Sequence, residues 1–508
     1  MRARAALLLL LAACGKPEAP AAARGEAQKL LAEAGFPEGK GFPKLKLLYN
    51  TSESHKKLAA AVQESWRRKL GVDIELVNME WKVYLDRKDR GDYDIARSAW
   101  LGEYLDPHAF LDLFTRDSGS NSTGWSSADY DALIRRSDAE PDRAARTALL
   151  EQAEKLLLEA APITPVYHYR AHNLLRPFVK GVHSNPRDMH PLQSIRLEGP
   201  GAPADGVLIY NAGEEPNSLD PAVSHDIAGL KVLMNLYEGL ASYDPKDASP
   251  VPAAAERWEV SPDGLRWTFH LRPATWSNGD PVTARDFVYA WRRVVDPATL
   301  SAYAHRMFLI RHGREIARRE RKPEELGVTA VDDRTLVVEL AHPAPYFPQL
   351  ICLNLFYPVH AASIGRDPKD REGNGPYRLT EYRINDRKVF EKNPRYRAAP
   401  EVALAKAVFL SVPEVNRAFS MYEAGQIHWL FAAPTEAMDR IVTRPDFLGG
   451  PANSVYFYMF NTTRKPLDDP RVRRALSMVI DRETITRVLL RGGETPADRL
   501  IPPPSLPK

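Results

Sequence analysis

The sequence predicts a mixed α/β and α+β protein of several domains, and three observations lead to that prediction. Its 508 residues suggest roughly three domains at about 150 residues each. Residues 45–76 have the pattern of a strand, a helix and a second strand, which is typical of a parallel sheet covered by helices. Residues 206–340 show short alternating stretches separated by turns, which favour antiparallel pairing.

The front part of the chain supplies the parallel unit. Apolar residues alternate over 45–49 as in a strand. The next stretch predicts a helix ended by Gly71, with large apolar residues at every fourth position: Leu58, Val62, Trp66 and Leu70. Alternation resumes over 72–76 and completes the unit. Residues 128–161 then predict two helices, and 166–169 a short strand after a proline-rich break.

The back part of the chain has a different pattern of predicted elements. Residues 198–206, rich in Gly, Pro and Ala, have the composition of an exposed linker. Alternation over 267–271 predicts a strand, and residues 283–286 form a capping box that opens a helix. Residues 328–340 predict two strands around a turn, and 471–490 predict one or two amphipathic helices.

The composition is that of an ordinary globular protein and excludes several functional classes. The formal charge of +3 is too even for a protein that holds nucleic acid by its phosphates. Two cysteines, Cys14 and Cys352, exclude a disulfide framework and a site of several thiolates. We expect Cys352, which lies in an apolar run, to be a buried and unreactive thiol. No apolar run reaches the ~18 residues needed to span a bilayer.

The first residues have the pattern of an export signal. Two arginines precede the apolar run 5–13, which is too short to cross a membrane. The run is followed by Cys14 in a context that resembles the bacterial lipobox. We therefore predict a signal peptide over 1–13, lipidation of Cys14, and a flexible lipid-anchored tether over 14–24. A plain signal peptide with an accidental cysteine is the alternative.

Catalytic motifs are mostly absent from the sequence. No HExxH, GxSxG, GxGxxG or P-loop pattern occurs. His183 and His190 could meet a metal, but two histidines in an exposed loop usually form only a loop. Asp468 and Asp469 stand at a predicted helix start, where capping explains them. We predict no metal, no cofactor and no enzyme activity, although three distant residues can form a site that spacing does not reveal.

A set of longer motifs carries a family resemblance. The motifs are Glu215–Pro221, Leu236–Leu240, Trp267–Arg272, Trp276–Ala284, Asn374–Tyr377, Lys392–Tyr396, Asp469–Leu476 and, in the front part, Tyr49–Ser52 and Asp94–Trp100. Together they resemble the oligopeptide-binding proteins of ABC importers, within the peptide/nickel solute-binding proteins of family 5. The resemblance covers nearly everything from 27 to 501.

The order of these motifs differs from that of ordinary family members. In those, the segment resembling 206–501 comes first and the segment resembling 27–197 ends the chain, so this chain looks circularly permuted. The linker 198–206 would join the family's two termini, which lie in the same lobe. We therefore expect residues 499–508 and 24–30 to lie near each other. An artefact of sequence assembly is the alternative.

The resemblance implies a two-lobed, periplasmic-binding-protein-like fold of type II, cluster C, with a third and smaller domain. The lobe that closes on the ligand would combine residues 25–162 with 456–508. The hinge-side lobe would combine 163–237 with 359–455. The extra small domain would span 238–358.

The same resemblance places charged residues at the two ends of a bound peptide. Glu103 stands where the family holds the peptide amine with an acidic residue, and a buried ammonium needs such a partner. Arg97 matches the arginine that holds the peptide carboxylate. His55 and Lys88 match cations used for other peptide lengths, although Lys88 replaces an arginine and loses its bidentate geometry.

Each of these charged residues has a plainer alternative role. Glu103 would then be a solvated loop acid, and His55 would cap a helix. Arg97 would form a structural ion pair with Asp92 or Asp94.

The other implied ligand contacts are less specific. They are three aromatic wall residues, two residues of a loop that pairs with the peptide backbone, and two apolar replacements of more polar positions: Trp81, Trp100 and Tyr303; His225 and Ile227; and Phe457 and Met459. Leu101 and Ser454 stand where some relatives tie the site by a disulfide, so that link is missing here.

The resemblance thus implies an extracytoplasmic lipoprotein that captures oligopeptides and delivers them to an ABC permease. We expect a monomer with a peptide ligand and no nucleic-acid partner, attached to the membrane by its lipid. A peptide-sensing or chaperone-like envelope protein is one alternative, and a secreted hydrolase is another. The sequence leaves peptide length and side-chain preference open.

Overall fold

The computed structural model describes residues 21–116, 118–211 and 213–506. The predicted signal peptide over 1–13 and the predicted lipidation site Cys14 lie outside these residues. Residues 21–24, predicted as part of a flexible tether, are helical. The helix they begin is held in place because Ala27 and Leu31 are buried in the core.

The helices of nine or more residues and the strands are numbered in chain order. The front part contains α1 (Ala21–Glu33), β1 (Leu45–Asn50), α2 (Glu53–Leu70), β2 (Ile74–Met79), α3 (Trp81–Asp89), β3 (Ile95–Leu101), α4 (Ala128–Ala139), α5 (Arg143–Ala160) and β4 (Ile163–Leu175). The middle part contains β5 (Val179–Lys180), β6 (Arg196–Leu197), β7 (Val207–Asn211), α6 (Ile227–Leu236), β8 (Ala241–Tyr243), β9 (Pro250–Pro252), β10 (Ala255–Val260), β11 (Arg266–Leu271), α7 (Ala284–Val295), β12 (Val328–Ala330) and β13 (Thr335–Glu339).

The last part contains β14 (Tyr377–Arg383), β15 (Arg387–Lys392), β16 (Lys406–Leu410), α8 (Val415–Glu423), β17 (Trp429–Leu430), β18 (Phe447–Phe460), α9 (Pro470–Met478) and β19 (Thr495–Pro496). Shorter helical segments are His108–Leu111, Ala304–Leu309, Gly313–Ala317, Phe347–Leu350, Met438–Ile441, Arg482–Thr484 and Ile485–Leu490.

One large mixed sheet organises the molecule. Its strand order is β14-β15-β16-β7-β17-β4-β18-β3-β1-β2, and β19 pairs with β4. The predicted strand–helix–strand unit is confirmed, because β1 and β2 flank α2 and run parallel, with Leu45 opposite Ile74. The predicted helices over 128–161 are also confirmed as α4 and α5.

Two long strands join the halves of this sheet. β4 has 13 residues and β18 has 14, and they pair antiparallel along most of their length. β4 is much longer than the short strand predicted over 166–169. The difference arises because Pro165, which suggested a break, lies where the register against β18 shifts, and such irregular positions accept a proline.

A smaller antiparallel sheet lies within the segment predicted as the extra domain. Its strand order is β10-β11-β13-β12, and α7 packs on it through a strongly apolar face that includes Phe287 and Trp291. The capping box predicted at the start of α7 is confirmed at Thr283 and Asp286. The domain boundaries themselves stay a prediction.

Two hydrophobic clusters lie on opposite faces of β3 and β18. One contains Phe457 and Met459, and the other contains Tyr456 and Tyr458. The two chain segments predicted to lie near each other pack in different clusters, residues 27–31 in the second and residues 500–501 in the first, so their proximity stays a prediction. None of the helices in the described part of the chain has the length and apolar character needed to cross a membrane.

Candidate functional site

Arg97 is a buried cation with little to neutralise it. It lies in the middle of β3, and only 9% of its surface is exposed. Its guanidinium donates two long hydrogen bonds, to Asn50 Oδ1 at 3.4 Å and to the Tyr169 hydroxyl at 3.3 Å. Its carbon Cζ lies 5.0 Å from the centre of the Tyr456 ring. Among the described residues, no carboxylate forms an ion pair with it.

The alternative role of Arg97 as a structural ion pair is wrong. Asp92 and Asp94, the two candidates for that pair, bind Arg464 instead, at 3.2 and 3.0 Å. The guanidinium Nε of Arg97 is enclosed and has no hydrogen-bond partner. A charged group left in this state is costly, so the geometry suits an anion that arrives from outside the chain.

His55 lies beside Arg97, in the first turn of α2. Its Nδ1 is buried and has no hydrogen-bond partner, and its ring centre lies 5.8 Å from that of Tyr456. Burial, and next the positive charge of Arg97, lower the pKa of His55 to about 3. The imidazole is therefore neutral at pH 7 and able to donate one hydrogen bond without adding a second charge.

Tyrosines line the rest of this region, which we call the Arg97 corner: Arg97, His55, Tyr169 and Tyr456. Burial raises the pKa of Tyr456 to about 12, so its hydroxyl stays protonated. Tyr84 also reaches the strand, because its hydroxyl donates to the Arg97 carbonyl. A buried guanidinium ringed by neutral donors is the arrangement that binds a carboxylate.

Glu103 lies just beyond β3 in a second region, which we call the Glu103 corner: Glu103, Arg306 and Tyr303. Its carboxylate lies 2.7 Å from Arg306 Nη2, and the two side chains are only 12% and 11% exposed. Arg306 belongs to the short helix Ala304–Leu309, so the pair joins β3 to the segment that carries the small sheet. Glu103 is thus not a solvated loop acid. Sequence reasoning missed Arg306.

Three predicted aromatic residues are placed in different ways. Tyr303 lies in the Glu103 corner, where burial, and next the charge of Glu103, raise its pKa to about 12. Trp100 is half-buried, and its Nε1 donates to the Ala109 carbonyl at 2.9 Å. Trp81 is 47% exposed and stacks on Tyr84 with 5.9 Å between ring centres.

The loop predicted to pair with a peptide backbone is exposed. His225 accepts a hydrogen bond from Asn217 at 2.8 Å, and its ring centre lies 6.0 Å from that of Tyr303. Ile227 begins α6 and is 41% exposed. Lys88 is one-fifth exposed and pairs with its neighbour Asp89 at 3.1 Å, so its role at a ligand stays a prediction.

Phe457 and Met459 lie in the core, each 3% exposed. Phe457 packs edge-on against Phe114. The neighbouring residue Tyr456 supports Arg97 instead, one position away along the strand. Leu101 and Ser454 face each other across β3 and β18, which confirms that the two positions are paired and hold no disulfide.

The negative predictions concern metals and thiols. Among the described residues, no group of three or more His, Cys, Asp and Glu side chains is arranged to hold a metal ion. His190 binds Asp188 at 2.9 Å instead. The predicted burial of Cys352 is confirmed, and this burial raises the pKa of its thiol well above the ordinary value.

Comparison with known proteins identifies the family. The profile described as "Bacterial extracellular solute-binding proteins, family 5 Middle" matches residues 14–122 and 249–508, well over half of the chain. The protein therefore belongs to this family, as the motifs predicted.

Individual relatives agree with the family assignment. The periplasmic murein peptide-binding protein MppA of Escherichia coli is 38% identical over 307 residues, which are 58% of this chain and 56% of that protein. The periplasmic oligopeptide-binding protein OppA of Haemophilus influenzae is 35% identical over 308 residues, 57% of this chain and 56% of the relative. The chain thus spans little more than half the length of the curated relatives that it matches.

Solved structures confirm the fold class. OppA of Burkholderia pseudomallei superposes with a TM-score of 0.54 at 35% identity, over 58% of this chain and 60% of that chain. The murein tripeptide-binding protein MppA of Escherichia coli gives 0.51 at 34% identity, over 57% and 59%. The predicted mixed α/β, periplasmic-binding-protein-like fold of type II is therefore confirmed.

Proposed function

We propose that this protein is the extracytoplasmic receptor of an ABC importer and that it captures oligopeptides. The single observation that carries the proposal is Arg97, a buried guanidinium with no carboxylate partner among the described residues. A peptide's terminal carboxylate fits that need in charge and in geometry. Membership of family 5 and the peptide-binding names of the relatives support the same assignment.

In this proposal the two corners hold the two ends of the peptide. The carboxylate would lie against Arg97 and accept a hydrogen bond from His55. The ammonium would approach Glu103, which already contacts Arg306 and has a second carboxylate oxygen to offer. The lobes would close around the ligand, so that affinity comes from main-chain hydrogen bonds and the two charged ends.

The other predicted contacts have smaller roles in the proposal. The aromatic residues would form the walls and the exposed loop would pair with the peptide main chain: Trp81, Trp100 and Tyr303; His225 and Ile227. Lys88 would serve a ligand of another length, and Phe457 and Met459 would support the wall from the core. The protein would bind peptides without cleaving them.

The attachment of the receptor is part of the same proposal. Lipidation of Cys14 would hold a monomer at the outer side of the membrane, where it delivers peptides to the permease subunits. Labelling with a radioactive fatty acid tests this point. Incorporation in the natural protein but not in Cys14→Ser is the expected result, and equal or absent incorporation in both would refute the anchor.

The segment order is the last part of the proposal. Alignments need a common order, so a permuted chain aligns with a relative over one block at a time. The 307 residues aligned with MppA are about the length of the block 206–501, which supports a permutation. A rearranged gene that encodes 206–508 ahead of 25–197 tests it. A folded product that binds the same ligands is expected, and an insoluble product would argue against permutation.

The deciding experiment identifies what the protein carries. Native mass spectrometry of freshly purified protein should detect bound peptides, and calorimetry with tri- to pentapeptide mixtures should give saturable binding. Tight binding of a sugar or a metal chelate, with no binding of any peptide, would contradict the proposal. Release of peptide fragments during incubation would indicate a hydrolase instead.

A further inference from the structure

Arg187 is a second buried arginine without a carboxylate partner. It lies between β5 and β6 and is 3% exposed. Its Nε and Nη1 are enclosed and have no hydrogen-bond partner, and no ion pair reaches it from the part of the chain that the structure describes. Its Cζ lies 5.3 Å from the centre of the Tyr243 ring. It therefore repeats the situation of Arg97 at another place.

That place is next to the Glu103 corner. The backbone of Asn453 joins the two sites, since its N–H donates to the Pro186 carbonyl at 2.7 Å and its carbonyl accepts from the Gly102 N–H at 2.8 Å. Pro186 and Gly102 directly precede Arg187 and Glu103. The charges of Glu103 and Arg187 both influence the pKa values of Tyr243 and Tyr303, so the two side chains lie within electrostatic range of the same two hydroxyls.

The neighbouring carboxylates are already engaged. Glu103 pairs with Arg306. Asp188 accepts from Asn173 at 2.8 Å and lies 2.9 Å from His190 and 3.4 Å from Lys231. Asp226 caps the start of α6. Among the described residues, Arg187 is thus left without a carboxylate counterpart, and an enclosed guanidinium favours a ligand that supplies a carboxylate.

We infer that Arg187 is a specificity-determining residue that binds the side-chain carboxylate of an acidic first residue in the peptide. This inference rests on the proposed function. The ammonium of that residue faces Glu103, while its side-chain carboxylate accepts hydrogen bonds from Arg187. A guanidinium suits this task because its planar donors match the two oxygens of a carboxylate. The ligand class is therefore peptides with Asp or Glu at the amino end.

The test compares two peptides of almost equal shape. Calorimetry with the wild-type protein measures tetrapeptides that differ only in Glu or Gln at the first position. A charge-assisted hydrogen bond in an enclosed site predicts roughly 10–100-fold tighter binding of the Glu peptide. Arg187→Met should reduce this preference to within about threefold, and Arg187→Lys should keep part of it. Arg266→Met, an exposed arginine on β11, is the matched control and should keep it in full.

Each outcome has a distinct meaning. Equal binding of the two peptides by the wild-type protein overturns the inference without any variant, and leaves peptide binding itself intact. A preference that survives Arg187→Met also overturns it, because another group then reads the side chain. If the protein binds neither of these peptides nor any other peptide, the proposed function itself is wrong. Unfolding of Arg187→Met does not block the test, since the wild-type comparison and Arg187→Lys remain.

Discussion

The Arg97 corner and the Glu103 corner treat a buried charge in opposite ways. Arg97 has two long hydrogen bonds and no carboxylate partner in the part of the chain that the structure describes. Glu103 has its own cation, Arg306, at 2.7 Å. The Arg97 corner therefore lacks a counter-charge among the described residues, while the Glu103 corner is already neutralised by the chain. We therefore expect the Arg97 corner to set the affinity for the peptide and the Glu103 corner to set the preference among peptides.

The largest expected effect comes from removing the cation that pairs with Glu103 in the Glu103 corner. Arg306→Met leaves Glu103 buried without a cation, and we expect a loss of about 3–5 kcal/mol in the free energy of unfolding. Urea unfolding of ligand-free protein measures this. Arg321→Met is the control, because its partner Glu325 is as exposed as Arg321 itself, 43% each, and such a pair contributes below about 1 kcal/mol.

The double variant Arg306→Met with Glu103→Gln sharpens this result. It removes the orphaned charge as well, so most of the lost stability should return. A double variant no more stable than Arg306→Met alone would show that the arginine acts by packing, and the contrast between the corners would be lost.

The next effect concerns the Arg97 corner. Arg97→Met should weaken binding of peptides with a free carboxylate by about 2–4 kcal/mol, since it removes a buried charged partner. Ligand-free Arg97→Met should be as stable as the wild type or more so, because an unpaired buried charge has been removed. Calorimetry and urea unfolding measure the two quantities. C-terminal amides serve as the control ligands, and Arg97→Met should bind them as weakly as the wild type does.

A smaller effect is expected for the ammonium end. Glu103→Gln should reduce the preference for free-amine peptides over their N-acetylated forms by about tenfold, the size of one charged hydrogen bond. Calorimetry with matched peptide pairs gives the ratio, and the ratio is insensitive to general damage at the site. An unchanged ratio would mean that Arg306 satisfies Glu103 completely.

The smallest effect is a pH dependence from His55. Its pKa is lowered to about 3 by burial and by Arg97, whereas the pKa of a histidine in the unfolded chain is about 6.5. The unfolded state therefore takes up the proton first, so the stability due to neutral His55 is present above about pH 6.5 and is lost as the pH falls. Between about pH 7 and 5, wild-type protein should lose about 1–2 kcal/mol more than His55→Gln.

Urea unfolding at several pH values gives that difference. His168, whose pKa is also lowered, to about 4, is present in both proteins and cancels. If the free energy of unfolding depends on pH in the same way in the wild type and in His55→Gln, the His55 ring is reached by solvent. Its protonation then does not report on the Arg97 corner.

The sequence was sufficient for the local parts of the fold. The strand–helix–strand unit was readable because α2 repeats its apolar residues every four positions and ends at Gly71, whose φ of 71° suits glycine. The capping box before α7 was equally local. The family motifs pointed to Arg97, His55 and Glu103, because those residues lie in or next to recognisable stretches.

Long-range placement could not be predicted in the same way. Arg306 reaches the Glu103 corner, and Arg187 lies next to it, from segments distant in the chain, and no spacing links them to residue 103. The resemblance pointed to Phe457, whereas the structure places the ring of the neighbouring Tyr456 beside Arg97, and a one-residue step along a strand moves a side chain to the opposite face. The register against β4 also shifts between Tyr456 and Phe457, which removes the simple alternation at that point.

The crossing of β4 and β18 has a mechanical consequence. Any rotation of one half of the large sheet against the other would twist these two strands, and their pairing is irregular at two places, between Pro451 and Val455 and between Tyr456 and Phe457. Tyr456 is also the ring beneath Arg97. One irregular position of the ladder and the support of the Arg97 guanidinium therefore share a residue, so a change in the angle between the halves would alter the surroundings of Arg97.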